Sequence, residues 1–418
     1  MPSFPTILLL IILSACSSTP KKLPKNAPKA LKAPYILLIS IDGYRYDYTK
    51  MYRPPNIINF LKSGASTAKA FRPSFPSSTF ANHLSIITGL LPDHHGIIDN
   101  EFYSSKLKKF YSLKNQSTVR DGSFYFGIPF WQLTSDSGIL SATYFWPGSN
   151  ANIHGKYPSY YKQYKLNTPH KDRIEQIEKW LKLPKENRPH FLTLYFRDVD
   201  YAGHIYGPNS LETKQAVMKV DYTLGQLFKK LHQLDLPINV FIVSDHGMTL
   251  TLPSNQIAYD QVVKQELLNE FTIIDRKAIS FFYYKGDPHK KNDTISKVIQ
   301  KINSIPNLRA YRPEEIPSHL NFSKNERIGD IFLLASPGYI MGQKKNLHNH
   351  YGNHGYDPTI GKDMHGIFYA KGPNIKGGTK LGIIDNIHLY PFMAKIMGLT
   401  IYHEIDGEVR FFGPLLKR

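Results

Sequence analysis

Cysteine is almost absent from this chain: its 418 residues hold one, Cys16, so no disulfide can close within it. Acidic residues are scarce beside basic ones. Asp and Glu number 33 against 52 Lys and Arg, which leaves a formal charge of +19. A basic surface draws anions, whether nucleic acid, anionic lipid or phosphorylated small molecules. The lysines are dispersed, however, with only short runs such as Lys106 to Lys109. No Arg-rich helix, RNA-binding signature or zinc-finger spacing stands among them, so no specific nucleic-acid partner is expected. Long apolar runs are missing too, since the stretch from Phe4 to Leu13 is too short to span a bilayer. No internal repeat is visible. What is present, 41% hydrophobic and 13% aromatic residues, excludes a disordered chain. The length allows one large α/β domain or two ordinary ones.

The apolar stretch ends in Leu13-Ser14-Ala15-Cys16. A short apolar run closed by small residues reads as an export signal, here residues 1–15. The Leu-Ser-Ala-Cys segment resembles the lipobox of bacterial lipoproteins, which implies lipidation of Cys16 and a place in the cell envelope. Ser17 to Pro34 then holds four prolines and five lysines. Such a composition predicts a solvated, semi-extended tether over residues 16–33, suited to anionic headgroups. No comparable linker recurs, so 34–418 is read as one catalytic domain.

Within it, strand-like and helix-like segments alternate. Tyr35 to Ile41, Ala142 to Trp146, Phe191 to Phe196, Ile238 to Val243 and Gly366 to Ala370 read as strands. Asn56 to Ser63, Phe80 to Thr88, Arg173 to Leu183, Leu211 to Leu234 and Ile387 to Met397 read as helices. Unalternating apolar strands between helices predict an α/β fold, a mostly parallel sheet covered on both faces. The Tyr-, Asn-, Pro- and Lys-rich stretches 101–164 and 250–350 read as inserted cap segments that shape a pocket.

Ligands of such sheets bind beyond the carboxyl ends of the strands. Asp42 directly follows one strand, and Asp245-His246 directly follow another. Asp200 and His204 stand four apart, so on a helical turn they share a face. His354 lies in a glycine-flanked loop. Each alone has a plain reading: a turn aspartate, a solvated pair, an exposed histidine. Thr79, at a helix start, could be no more than a cap. One site at the sheet's carboxyl end explains them together. Carboxylates and imidazoles gathered this way suit zinc or a similar divalent ion, and a hydroxyl at a helix N-terminus beside such an ion can act as a nucleophile on phosphorus.

These segments resemble the nucleotide pyrophosphatase/phosphodiesterase family of the alkaline phosphatase superfamily. The likeness rests on Ile41-Asp42-Gly43, Phe75 to His83, Thr88-Gly89-Leu90, His95 to Asn100, Phe145 to Ser149, Asp200 to Pro208, Ser244 to Gly247, and His354 to Asp357. It implies an alkaline-phosphatase-like core and a two-zinc phosphodiesterase. Asp42, Thr79, Asp245 and His246 would hold one zinc, and Asp200, His204 and His354 the other. Thr79 would be the nucleophile of a phospho-threonine route that yields nucleoside monophosphates. Asn100 and the backbone amide near Thr79–Phe80 would stabilise charge on the phosphate. Phe80 and Tyr164 would sandwich a nucleobase, and Tyr195 would line the pocket. Ser78, Asn150 and Arg197-Asp198-Val199 depart from the animal members and are expected to alter the substrate pocket. Another phosphoric ester hydrolase on the same scaffold, such as a choline-type phosphodiesterase, phospholipase C or phosphomonoesterase, is the alternative reading. A non-catalytic metal-binding lipoprotein is the remaining one.

Overall fold

The computed structural model describes residues 23–348 and 350–417. Its centre is an eight-stranded sheet. In chain order the strands are β1 (Tyr35–Ile41), β2 (Ser66–Arg72), β3 (Ser141–Tyr144), β4 (Tyr160–Lys162), β5 (Phe191–Phe196), β6 (Ile238–Val243), β7 (Phe368–Lys371) and β8 (Lys380–Asp385). Across the sheet they run β8-β2-β7-β6-β1-β5-β3-β4. Only β7 runs against the rest, pairing antiparallel with β6 and β2. The expected mostly parallel sheet is therefore the observed one.

β1 shows why. Every one of its seven residues is buried. Ile36 and Leu38 enter the core on one face, while Leu37, Ile39 and Ile41 enter the core on the other. Helices α1 (Pro55–Lys62), α3 (His170–Leu181) and α5 (Leu211–Gln233) cover the second face through Ile57, Ile177 and Leu224. Helices α2 (Thr79–Thr88) and α6 (Leu389–Met397) cover the first through Leu84, Ile87 and Phe392. A nine-residue helix, α4 (Asp198–Tyr206), follows β5 closely.

The stretch 250–350 builds a four-stranded antiparallel sheet of its own from Phe271–Asp275, Ile279–Tyr284, Leu308–Tyr311 and Ile331–Ala335. The stretch 101–164 is less separate than expected. It contributes the hairpin Glu101–Ser104 with Lys109–Ser112, but also β3 and the edge strand β4 of the main sheet.

Two readings of the N-terminus meet different outcomes. The export signal and Cys16 lie outside the described residues. Residues 24–33, read as part of a solvated tether, are docked instead. The Asn26 side-chain amide donates to Arg188 O at 2.7 Å and its oxygen accepts from the Leu140 amide at 2.8 Å. Ala30 is buried in the core, on a short 3-10 turn spanning Pro28–Lys32. Lysines and prolines alternate here with small apolar residues, and these find a groove. Among the described residues, no helix is long and apolar enough to cross a membrane.

Candidate active site

Asp42 is the first residue after β1, and Asp245 and His246 are the second and third after β6. The tight turn at Gly43, with φ +66°, brings α4 against β1: a Cβ on Gly43 would lie 2.7 Å from Asp200 Cα. The Asp200 amide donates to Asp42 O at 3.0 Å, and the Gly43 amide donates to Asp245 Oδ1 at 3.2 Å. Two separate acidic segments are thus fixed through one glycine.

Thr79 is the first residue of α2, and the preceding Ser78 takes the N-cap position. Capping is therefore not what its hydroxyl does. Thr79 Oγ1 lies 3.3 Å from His246 Nε2. Asp42 Oδ1 lies 3.4 Å and Asp245 Oδ2 3.2 Å from the same nitrogen. On α4, Asp200 Oδ1 and His204 Nε2 are 3.4 Å apart, and His354 Nε2 is 3.7 Å from Asp200 Oδ1. The His246 and His354 rings stack with centroids 3.8 Å apart, joining the two halves. All seven residues singled out in the sequence therefore meet in one place. His246 sits between the halves, within reach of Asp42 and Asp245 on one side and of Asp200 and His354 on the other.

The donor set fits divalent cations on three counts. First, each histidine turns Nδ1 to a backbone carbonyl: His204 to Gly352 O, His246 to Gly247 O and His354 to Ser77 O, at 2.9, 2.8 and 2.7 Å. That contact places the proton on Nδ1 and leaves a bare Nε2 facing the cluster, as a metal ligand requires. Second, Asp42 Oδ1, Asp200 Oδ1 and Asp245 Oδ2 are buried with no hydrogen-bond partner among the described residues. Orphaned carboxylate oxygens are costly unless something positive completes them. Third, burial and the neighbouring Asp245 and Asp200 carboxylates push Asp42 well above the usual carboxylate range. Burial, with His246 and His204 nearby, holds His354 well below the usual histidine range and so neutral.

Above this floor opens a cavity of about 520 Å³, lined by Asp42, Thr79, Asp200, His204 and His354. Asp245 and His246 lie beneath it, fully buried. Phe80, Asn100, Tyr164 and Tyr195 also line it. Two of them have further partners. Asn100 Oδ1 accepts from the Phe80 amide at 3.0 Å. That amide is therefore occupied, and the donor left for a phosphate oxygen is Asn100 Nδ2. Tyr195 is more than lining, because its hydroxyl donates to Asp42 Oδ2 and orients that carboxylate. Ser78, Asn150 and Arg197 also face the cavity. Asp198 and Val199 do not: Asp198 pairs with His170 and Lys219, and Val199 is in the core.

Two further residues of the site had no sequence signal, and a third had one. Arg276 and Lys277 reach the cavity from the added four-stranded sheet. His83 binds Ser40 Oγ through Nε2 at 2.8 Å and lies 3.3 Å from Asp245 Oδ2 through Nδ1. Its position one turn after Thr79, at the end of a motif, is the signal that could have found it.

Comparison with known proteins points the same way. A sequence profile described as type I phosphodiesterase / nucleotide pyrophosphatase matches residues 36–357. The chain is 34% identical over 392 residues to a venom phosphodiesterase of Naja atra, covering 90% of this chain and 45% of that protein. It is 32% identical over 391 residues to human ectonucleotide pyrophosphatase/phosphodiesterase family member 1, covering 90% and 41%. The chain thus spans less than half the length of these relatives. Its fold matches murine ectonucleotide pyrophosphatase/phosphodiesterase 5, an inactive variant in complex with AMP, with a TM-score of 0.85 at 28% identity, covering 92% of this chain and 100% of that one.

Proposed function

This chain belongs to the type I phosphodiesterase / nucleotide pyrophosphatase family, and from that premise we propose that it hydrolyses phosphodiester and pyrophosphate bonds of nucleotides to nucleoside monophosphates. The observation that carries the reading is the Thr79 hydroxyl, 3.3 Å from His246 Nε2 at the edge of a cluster of orphaned carboxylate oxygens. Asp42, Thr79, Asp245 and His246 would hold one divalent cation, and Asp200, His204 and His354 a second, with zinc the best match to mixed carboxylate and imidazole donors. Such cations supply Lewis acidity, lowering the pKa of a hydroxyl or water and offsetting phosphate charge.

The residues themselves do the rest. Phe80 and Tyr164, on the cavity wall, hold a base by its faces, which any base offers. Asn100 Nδ2 donates to a non-bridging phosphate oxygen. Thr79 Oγ1 attacks phosphorus and gives up its proton to solvent. As the Oγ1–P bond forms, the bond to the leaving group breaks and its electron pair departs on that oxygen. Water then attacks the phospho-threonine, the Oγ1–P bond breaks, and Thr79 regains a proton. One water is consumed per bond cleaved.

A substrate panel tests this reading: nucleoside triphosphates, choline phosphodiesters, phosphate monoesters and sulfate esters, offered to the zinc-loaded protein. Nucleotides are expected to give the highest kcat/KM. A choline diester or a monoester in first place would assign the scaffold to another ester. No hydrolysis of any ester would contradict an enzyme altogether.

At the N-terminus, the Leu13 to Cys16 segment supports export and lipid anchoring at Cys16 in a bacterial cell envelope. Incorporation of labelled palmitate, abolished by Cys16→Ser, is the expected result.

A further inference from the structure

A second cavity, of about 530 Å³, adjoins the first, and the two share the wall formed by Asp275, Lys277 and His350. The charges in this wall are unequal in their commitments. Arg276 is spent on Asp99 Oδ2 at 2.6 Å and on Glu101 Oε1 at 3.7 Å. Asp275 accepts from Tyr259, Ser280 and the Gln343 amide. Lys277 has no ion pair and no side-chain hydrogen bond among the described residues.

Its backbone is also unusual. Lys277 occupies the left-handed region at φ +67°, in the turn between the strands Phe271–Asp275 and Ile279–Tyr284. Few residues with side chains adopt that region, and those that do are concentrated where function holds them. Its carbonyl accepts from the Met341 amide at 2.8 Å, which pins the turn. The ammonium lies within electrostatic reach of Asp200, His204 and His350. Burial and the adjacent Arg276 lower its pKa to about 8, as expected of a cation short of a counter-charge. In an in-line displacement the leaving oxygen departs away from the nucleophile. Thr79, Asp200, His204 and Lys277 all line the first cavity, and Lys277 stands where it opens toward the second.

We propose that Lys277, at the junction of the two cavities, is the recognition element of a leaving-group subsite for anionic departing groups, which favours nucleotides that release pyrophosphate or a longer phosphate chain over esters with uncharged leaving groups. The inference rests on the hydrolytic reading given above. Lys277 binds the distal phosphates, and the second cavity accepts whatever continues beyond them. His350 lines the same wall and is kept neutral, since burial and Lys277 lower its pKa to about 4.

The test compares ATP with the p-nitrophenyl ester of thymidine 5′-monophosphate on the zinc-loaded full chain, using wild type, Lys277→Met and Lys277→Arg. Lys277→Met keeps the apolar stem and removes the charge. It is expected to lower kcat/KM for ATP about 10- to 100-fold, the range for loss of a charged hydrogen bond, and to change the nitrophenyl ester less than about 3-fold. Lys277→Arg should restore most of the ATP activity. In a Thr79→Ala background, which removes turnover, Lys277→Met should weaken ATP binding by a similar factor and leave AMP binding unchanged. Equal loss on both substrates, or no loss on ATP, overturns the subsite. Wild type inactive on both overturns the hydrolytic reading and the subsite with it.

Discussion

At the scale of single residues, Asp42, Asp200, His204, Asp245 and His246 were legible because each follows an apolar run or stands one helical turn from a partner, while Thr79 and His354 were legible through the motifs around them. What the sequence did not carry was their wiring. Tyr195 looked like a pocket-lining aromatic, and only the fold shows its hydroxyl bound to Asp42 Oδ2. Tyr195→Phe should leave the fold intact and weaken zinc binding about 10- to 100-fold, the usual effect of losing a group that orients a ligand. Calorimetric titration of the metal-free protein reads this directly, and unchanged affinity would mean that Asp42 is oriented without it. Arg276 and Lys277 were illegible for another reason. They sit in a strand-to-strand turn of an inserted sheet, and only its docking brings them to the cavity.

At the scale of elements, the central strands were legible because burial on both faces makes them continuously apolar. β1, β5 and β6 begin and end where the sequence placed them. β2, β4 and β8 were not recognised. β2 carries the exposed Lys69, and β8 at the sheet edge exposes half of its residues and buries only Ile384. Such strands have no second buried face to advertise them. The inserted four-stranded sheet pairs Phe281 with Phe332 and Ala310 with Leu333, contacts that no local pattern reports. Gly43 is the point where elements and site meet. Gly43→Ala would force a methyl against Asp200 at a positive φ. It should destabilise the protein by roughly 2–4 kcal/mol and reduce bound zinc together with activity. Thermal melts and metal analysis of the variant check both effects, and a variant with wild-type melting and metal content would contradict the role given to this turn.

At the scale of the whole molecule, buried neutral histidines tie stability to pH. His95 is the clearest outside the metal-ligand set. It is fully buried, accepts from the Ile97 amide at 3.2 Å, and burial lowers its pKa to about 3 from an ordinary 6.5. Below pH 6.5 the unfolded chain binds a proton there that the folded one refuses. Stability is therefore complete above that pH and falls as pH drops toward 3. By pH 5 the loss from this residue is about 2 kcal/mol. Urea unfolding at pH 7 and pH 5 should show the fall, and His95→Asn should flatten it. The net charge of +19 is a second global property. If it gathers anionic substrates, kcat/KM for a nucleoside triphosphate should fall several-fold as salt rises from ~10 to ~150 mM, because the Debye length shrinks from about 30 to 8 Å.

The account depends most on Thr79, the hydroxyl that turns a metal-binding hollow into a phosphoryl-transfer site. The direct measurement is hydrolysis of bis(p-nitrophenyl) phosphate by wild type and Thr79→Ala, each with zinc, with EDTA, and with zinc restored. Wild type should be active with zinc, inactive with EDTA and active again on restoration. Thr79→Ala should bind zinc yet turn over at least about 10³-fold more slowly, the scale expected when a nucleophile is removed. Equal rates for the two proteins would contradict the account.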